Sequence, residues 1–342
     1  MGRKLPFLHR FRSWTWFWLF TAVLLGALSL VPAAKSPSLI QLMMLANIFA
    51  VYAMGWDILS GYTGQISFGH AFFIGLGAYV SAMLSMYAGW PLALTMLSGA
   101  LAAMLGGLLL AFPALRLHGP YFSLITLVTP LIAQRITVIF SDLTGGEYGL
   151  QCKFDLATLS SQCVANAAEV FGLSQAQSYY WTVALLGVVL VGLFALARSR
   201  VGKVFEAIRE DELAVESAGI NTAKYKTLAF AVSAFVVGFA GTVQAHFYYN
   251  GYVPRSILGL DLSIEILLAA VLGGMGSIFG PLLGAYLLIV GRDSLGFLDE
   301  WRMLVFAVLA LVILFFLPRG TLTEARLWLA RTLRRPLAPA KK

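Results

Sequence analysis

Three stretches of this 342-residue chain carry polar side chains in patterns that could do chemistry. The first is GYTGQISFGH at 61–70, where Gln65, Ser67 and His70 stand among glycines and between apolar runs. An amide, a hydroxyl and an imidazole in apolar surroundings need partners or water, and could hydrogen-bond a passing solute. The second is VLGGMGSIFGPLLGAY at 271–286, broken at Gly273, Gly274, Gly276 and Ser277. Both stretches read two ways: as a broken helix lining a translocation path or contacting a sister subunit, or as close helix packing through small residues. As a path, 61–70 and 272–277 would approach each other near the middle of a membrane.

The third stretch is SRVGKVFEAIREDELAVESAGINTAKYK at 199–226. Val204, Ile208 and Val215 recur at helical spacing among Lys203, Glu206, Arg209, Glu210, Asp211, Glu212 and Glu216. Gly219 can close this helix in a left-handed cap, and Asn221 or Thr222 can open the next. The expectation is a capped polar projection built to dock onto something, against the alternative of a solvated loop. Other chemistry is missing. There is no G-x-x-x-x-G-K-[ST] for ATP, no H-E-x-x-H, no C-x-x-C, and the four histidines are scattered. The sequence offers no catalytic cluster, no metal site and no cofactor site of its own.

The elements that must position these stretches follow from composition. The chain is 59% hydrophobic and only 12% charged, with 33 Gly and a mean hydropathy of +0.82. A soluble domain is about 25% charged, so this chain cannot cover a core with polar surface. Glycine in such abundance suits close helix packing in lipid. Soluble enzymes, secreted domains and disordered proteins are excluded. Net charge is +8, but eighteen of the 24 Lys and Arg fall in residues 1–13, at Arg116, in 198–226 and in 319–342. Basic clusters between apolar runs mark cytoplasmic loops rather than a nucleic-acid surface.

Apolar runs long enough for a layer roughly 30 Å thick lie at 14–33, 38–59, 66–88, 91–113, 120–140, 179–197, 227–248, 262–290 and 302–318. Starting inside, pairs of crossings return the chain to the cytoplasm near 57–64, 116–118 and 198–226. The loop 141–178 then lies outside, with Asp142, Glu147, Asp155 and Glu169 against Lys153. The basic tail 319–342 returns inside only if 262–290 dips in and out as two half-helices. The expectation is an all-α polytopic membrane protein in one transmembrane domain. It has about eight transmembrane helices plus a Gly-broken re-entrant hairpin, 8–10 membrane elements in all. SFG…GAY at 67–79 and IFG…GAY at 278–286 suggest two loosely repeated halves. Residues 1–34 resemble a signal peptide but are long and Trp-rich, and are expected to be retained. Cys152 and Cys163, with ten residues between them in the external loop, are expected to form a disulfide.

At GYTGQISFGH (61–70), GLGAY (75–79), TGGEYGL (144–150), AIREDELAVESAGINTAKYK (207–226) and LSIEILLAAVLGGMGSIFGPLLGA (262–285) the chain resembles the LivM-type permease subunits of bacterial ABC importers for branched-chain amino acids. The resemblance covers about two-thirds of the chain in the expected order. It implies a non-catalytic inner-membrane permease with cytoplasmic termini. It also implies a homologous partner permease, two ATPase subunits that supply ATP and Mg in trans, and a periplasmic solute-binding protein. Glu206, Ala207 and Gly219 match the motif that such permeases present to their ATPases, with Arg209 and Glu210 beside them; Ile208 stands where many have a second Ala. The same architecture could carry urea, short amides or another small solute. A secondary transporter or channel is the alternative from another class, with Asp57, Arg135 and Glu265 as its candidate charges within the membrane.

Overall fold

The computed structural model describes residues 20–34, 36–115, 120–150, 152–155, 160–163, 173–248 and 254–301, with isolated positions 18, 305, 308, 311 and 312. The basic start, Arg116, parts of the 141–178 loop, most of the 302–318 run and the basic tail lie outside the described residues. The main helices among the described residues are α1 Phe20–Ala33, α2 Pro37–Thr63, α3 His70–Ala88, α4 Leu92–Ala114, α5 Pro120–Ile139, α6 Gln175–Arg198, α7 Arg200–Glu210, α8 Glu212–Ser217 and α9 Thr222–Phe247, followed by the pair α10 Leu260–Gly273 and α11 Phe279–Ser294. Six of them (α2 to α6 and α9) are long and apolar enough to cross a membrane.

The central element is α2. Ser36 caps it by accepting from the Leu39 N–H at 3.5 Å, Pro37 fills the first turn, and Gly64 closes it at φ +75°. Every residue from Ala46 to Thr63 is buried, so this helix is surrounded by protein and not by lipid. It packs against α6, α9, α10 and α11, and against the short polar helix α7. A second group is formed by α3, α4 and α9, which approach closely because glycines face one another. A Cβ on Gly107 would meet Ala234 at 2.5 Å, and one on Gly77 would meet the Gly238 backbone oxygen at 2.5 Å. Side chains this small let helix axes close in where lipid offers no hydrophobic drive. The outward rows are apolar: Leu94, Leu97, Leu101, Leu105 and Leu109 on α4, and Leu124, Val128, Leu131 and Ile136 on α5. Unpartnered rows of this kind face a bilayer in a helix bundle built for one.

The long apolar run at 262–290 is broken where its glycines stand. Helix α10 stops at Gly273, Gly274 and Gly276 take φ of +109° and +73°, and α11 starts at Phe279. Contacts then step along both helices: Gly273 against Gly280, Ala269 against Gly284, Glu265 against Arg292. The two are therefore antiparallel. The run expected at 66–88 is helical only from His70, because residues 64–69 leave α2 unwound. The described part of the 141–178 loop holds a two-stranded antiparallel ribbon, β1 Cys152–Asp155 with β2 Ser160–Cys163, and Cys152 pairs with Cys163. TGGEYGL folds as single turns and sends Leu150 into a small cluster with Tyr79, Ala82, Met86 and Leu258.

Candidate functional site

The unwound segment 64–69 lies against the last turns of α2, and each of its backbone groups named here has a donor or acceptor from another element. Trp56 Nε1 donates to the Ser67 carbonyl at 2.8 Å, and the Ser67 N–H donates to Ser60 Oγ at 3.2 Å. Ser123 Oγ donates to the Ile66 carbonyl at 2.8 Å, and the Phe68 N–H donates to Thr126 Oγ1 at 3.1 Å. The first helical turn beyond it is held the same way, with the Ala71 N–H donating to Ser263 Oγ at 3.1 Å. Irregular backbone survives at membrane depth only when protein or trapped water satisfies it, and here protein does so.

His70 is fully buried. Its Nε2 lies 2.9 Å from Ser233 Oγ, and that hydroxyl donates to the Gly55 carbonyl at 2.7 Å. A hydroxyl that has given its one proton must accept, so the imidazole carries its proton on Nε2. Ser67 and His70 were expected on a solute path, but both sit in the interior, bonded to their own chain. Burial by α5, α9 and α10 is the reason. Gln65, Ile66, Met275 and Ser277 retain surface, with Ile66 and Met275 the most exposed.

The two glycine-broken stretches meet beside the charged 199–226 stretch. The Gly276 N–H donates to Asp57 Oδ1 at 2.7 Å, which fastens the α10–α11 turn to the last two turns of α2. Arg209 Nη1 donates to the Gly61 carbonyl at 2.9 Å, and Arg209 Nη2 lies 3.0 Å from Glu210 Oε1. Gly61 has no space for a side chain, since a Cβ there would collide with the Asp57 carboxylate. Arg209 keeps an exposed edge beside the docking residues while its Nη1 reaches inward to α2, and Asp57 gains a structural partner in Gly276. The signal available for Asp57 was its isolation, as the only charge between Ser36 and Leu115.

The polar projection is two helices rather than one. Ser199 Oγ accepts from the Val201 and Gly202 N–H groups and starts α7, whose Phe205 and Ile208 are buried. Asp211 ends α7 and caps α8 by accepting from the Ala214 N–H at 3.0 Å. Gly219 takes φ +83°, and the Gly219 and Ile220 N–H groups return to the carbonyls of Glu216 and Val215. Asn221 then caps α9 through the Lys224 N–H at 3.0 Å. Lys226 Nζ meets Glu212 Oε1 at 2.5 Å, and Thr222 Oγ1 meets Glu216 Oε1 at 2.6 Å, fastening α8 to the base of α9. Among the residues left on the outside are Glu206, Ala207, Arg209, Glu210, Leu213 and Gly219. Leu213 is 75% exposed, an apolar tip on an otherwise charged surface. Among the described residues no cluster of His, Cys, Asp or Glu could hold a metal ion.

The profile of the family described as "Branched-chain amino acid transport system / permease component" matches residues 38–315. The high-affinity branched-chain amino acid transport system permease protein LivM of Escherichia coli K12 is 32% identical over 324 residues, covering 90% of this chain and 75% of that protein. The permease protein LivH of the same organism is 27% identical over 81% of this chain and 92% of its own length. BraD of Pseudomonas aeruginosa PAO1, named as a permease of the same kind of system, is 28% identical over 83% of this chain and 94% of its own. No solved structure matches. With a family match over most of its length, a relative at 32% identity and six helices fit to cross a membrane, the chain is a multi-pass membrane protein and belongs to the branched-chain amino acid transport permease family.

Proposed function

We propose that this chain is the LivM-type permease subunit of an ABC importer, moving branched-chain amino acids delivered by a periplasmic binding protein. The observation that carries the reading is the α7–α8 projection. It is capped at each step, tied to α9 by Lys226–Glu212, and presents Glu206, Ala207, Glu210, Leu213 and Gly219 to the outside. The chain has no P-loop and so cannot spend ATP by that route, and a rigid projection of this kind would receive force from subunits that do. The proposed assembly is this chain, a homologous permease, two ATPases and the binding protein. That relatives named LivM and LivH both match along most of this chain supports the paired permease.

The accompanying topology has eight crossings, the α10–α11 pair as a re-entrant hairpin, and both termini in the cytoplasm of the bacterial inner membrane. Two observations support it: α10 has 14 residues and α11 16, each short for a crossing, and the 198–226 stretch gathers six of the Lys and Arg residues. The path is then lined by surface near Gln65, Ile66, Met275 and Ser277 rather than by Ser67 and His70. Cys152–Cys163 is retained as a disulfide, because directly paired antiparallel residues hold their Cα atoms about 4.5–5.5 Å apart, inside the range a disulfide needs. Affinity purification of the chain expressed with its four partners tests the assembly. Two ATPases and one LivH-type permease per chain are expected, and Glu206→Lys should release the ATPases; recovery of the chain alone, stably folded, contradicts it.

A further inference from the structure

Behind the docking surface lies a junction that docking itself does not use. Asp57 on α2, Arg209 on α7 and Gly276 in the α10–α11 turn belong to segments far apart in sequence, yet they converge on the last turns of α2. Across the junction both side chains grip backbone: Asp57 takes the Gly276 N–H at 2.7 Å and Arg209 Nη1 takes the Gly61 carbonyl at 2.9 Å, while Arg209 Nη2 pairs with its neighbour Glu210. A bond to backbone fixes the position of the main chain itself and is not loosened by rotamer changes in a partner.

Three glycines make room for this arrangement. Gly64 is left-handed at φ +75°, and a Cβ there would stand 3.2 Å from Arg209 Cγ. Gly276 is left-handed at φ +73°, and its Cβ would collide with Arg209 Nη1. A Cβ on Gly61 would meet the Gly276 backbone nitrogen at 2.6 Å as well as the Asp57 carboxylate. The guanidinium thus lies across both breaks, over the end of α2 and beside the turn. Asp57 is fully buried, and its Oδ2 has no hydrogen-bond partner among the described residues. A carboxylate kept in that condition is an expensive way to hold a turn, since an apolar contact would close the same space without desolvating a charge.

We infer that Asp57 and Arg209 are positioning residues that pin the α7–α8 projection to the glycine turn at 274–278, so that the projection and the turn move as one body. The inference rests on the docking role proposed above. Displacement of α7 by a closing ATPase carries Arg209 and the end of α2 with it, and the Asp57–Gly276 bond passes that displacement to α10 and α11. The left-handed glycines at 274 and 276 are where the hairpin can change its backbone angles at least cost.

The test uses the assembled transporter in proteoliposomes, with leucine imported per ATP hydrolysed as the readout, a ratio that simple loss of complex does not lower. Arg209→Met and Asp57→Ala remove the two bonds and are expected to lower the ratio at least tenfold. Arg209→Lys keeps a donor and Asp57→Asn keeps an acceptor, and each is expected to retain at least a third of the native ratio. An unchanged ratio in both Arg209→Met and Asp57→Ala overturns the inference. Should Asp57→Ala fail to assemble, Gly276→Ala, which displaces Arg209 through its Cβ, takes its place with the same expectation. Spin labels at the exposed positions Leu213 and Met275 give an independent reading. Their separation should stay the same with and without ATP in the native junction and change in Arg209→Met. A separation that already changes in the native chain overturns the pin. If the native assembly imports no leucine, the failure belongs to the function, and the two-label distance still decides the pin.

Discussion

Gly219 offers a clean test of how the projection is built, because its cost is purely conformational. It sits at φ +83°, and a Cβ built there meets nothing within 4 Å. Gly219→Ala therefore adds no overlap, and the only penalty is that of an L residue in the left-handed region, about 1–2 kcal/mol. That energy corresponds to a factor of roughly 5–30 in an opening equilibrium. The two bonds that depend on the cap are Gly219 N–H to Glu216 at 2.8 Å and Ile220 N–H to Val215 at 3.3 Å. Hydrogen exchange at residues 219 and 220 should accelerate by that factor in Gly219→Ala, while amides inside α9 stay protected. Gly219→Asn should show less than half of this effect in energy, since Asn tolerates the left-handed region. Exchange unchanged in Gly219→Ala, or equal in the Ala and Asn variants, would refute the argument. Gly273 provides the contrast. Its Cβ would collide with the Gly280 carbonyl, so Gly273→Ala should separate α10 from α11 outright.

Three further outcomes are expected. Asn47→Leu removes the acceptor of the half-buried Tyr286 hydroxyl and the donor to Thr182 Oγ1 at 3.0 Å. It should destabilise the protein by about 1–3 kcal/mol, seen as a lower unfolding temperature, and Tyr286→Phe added to it should recover part of the loss. Alkylation under non-reducing conditions followed by mass measurement should find no free thiol at Cys152 and Cys163 after periplasmic oxidation; two labelled thiols per chain would contradict the bridge. Cysteines placed at Met275 and Gln65 should react with water-soluble thiol reagents in at least one nucleotide state, whereas Ser67→Cys should react in none, since Ser67 is fully buried.

Much of the site was legible because glycine, asparagine and proline act locally. The break at 273–277, the left-handed cap at Gly219 and the Asn221 cap each follow from one residue's backbone preferences, and the structure has them where the residues stand. The split of the projection at Asp211 was missed. Its side chain can either extend a charged helix or cap a new one, and only the fold selects the cap. What the sequence could not show are partners far along the chain. Thr126, Ser233 and Ser263 reach the 68–71 region across 58, 163 and 192 residues. Without Ser233, His70 looks unsatisfied and therefore functional. The partner of the second break was hidden for a related reason: a single carboxylate, Asp57, 219 residues away, ties Gly276 to the last turns of α2.

The central claim is that this chain carries branched-chain amino acids on force supplied by other subunits through α7 and α8. The measurement that tests it most directly is uptake of labelled leucine by proteoliposomes holding the chain with its partner permease, two ATPases and the binding protein. The account predicts uptake that requires both ATP and the binding protein and is lost in Glu206→Lys. Leucine uptake without ATP, or none in the complete assembly while another solute is carried, would contradict it.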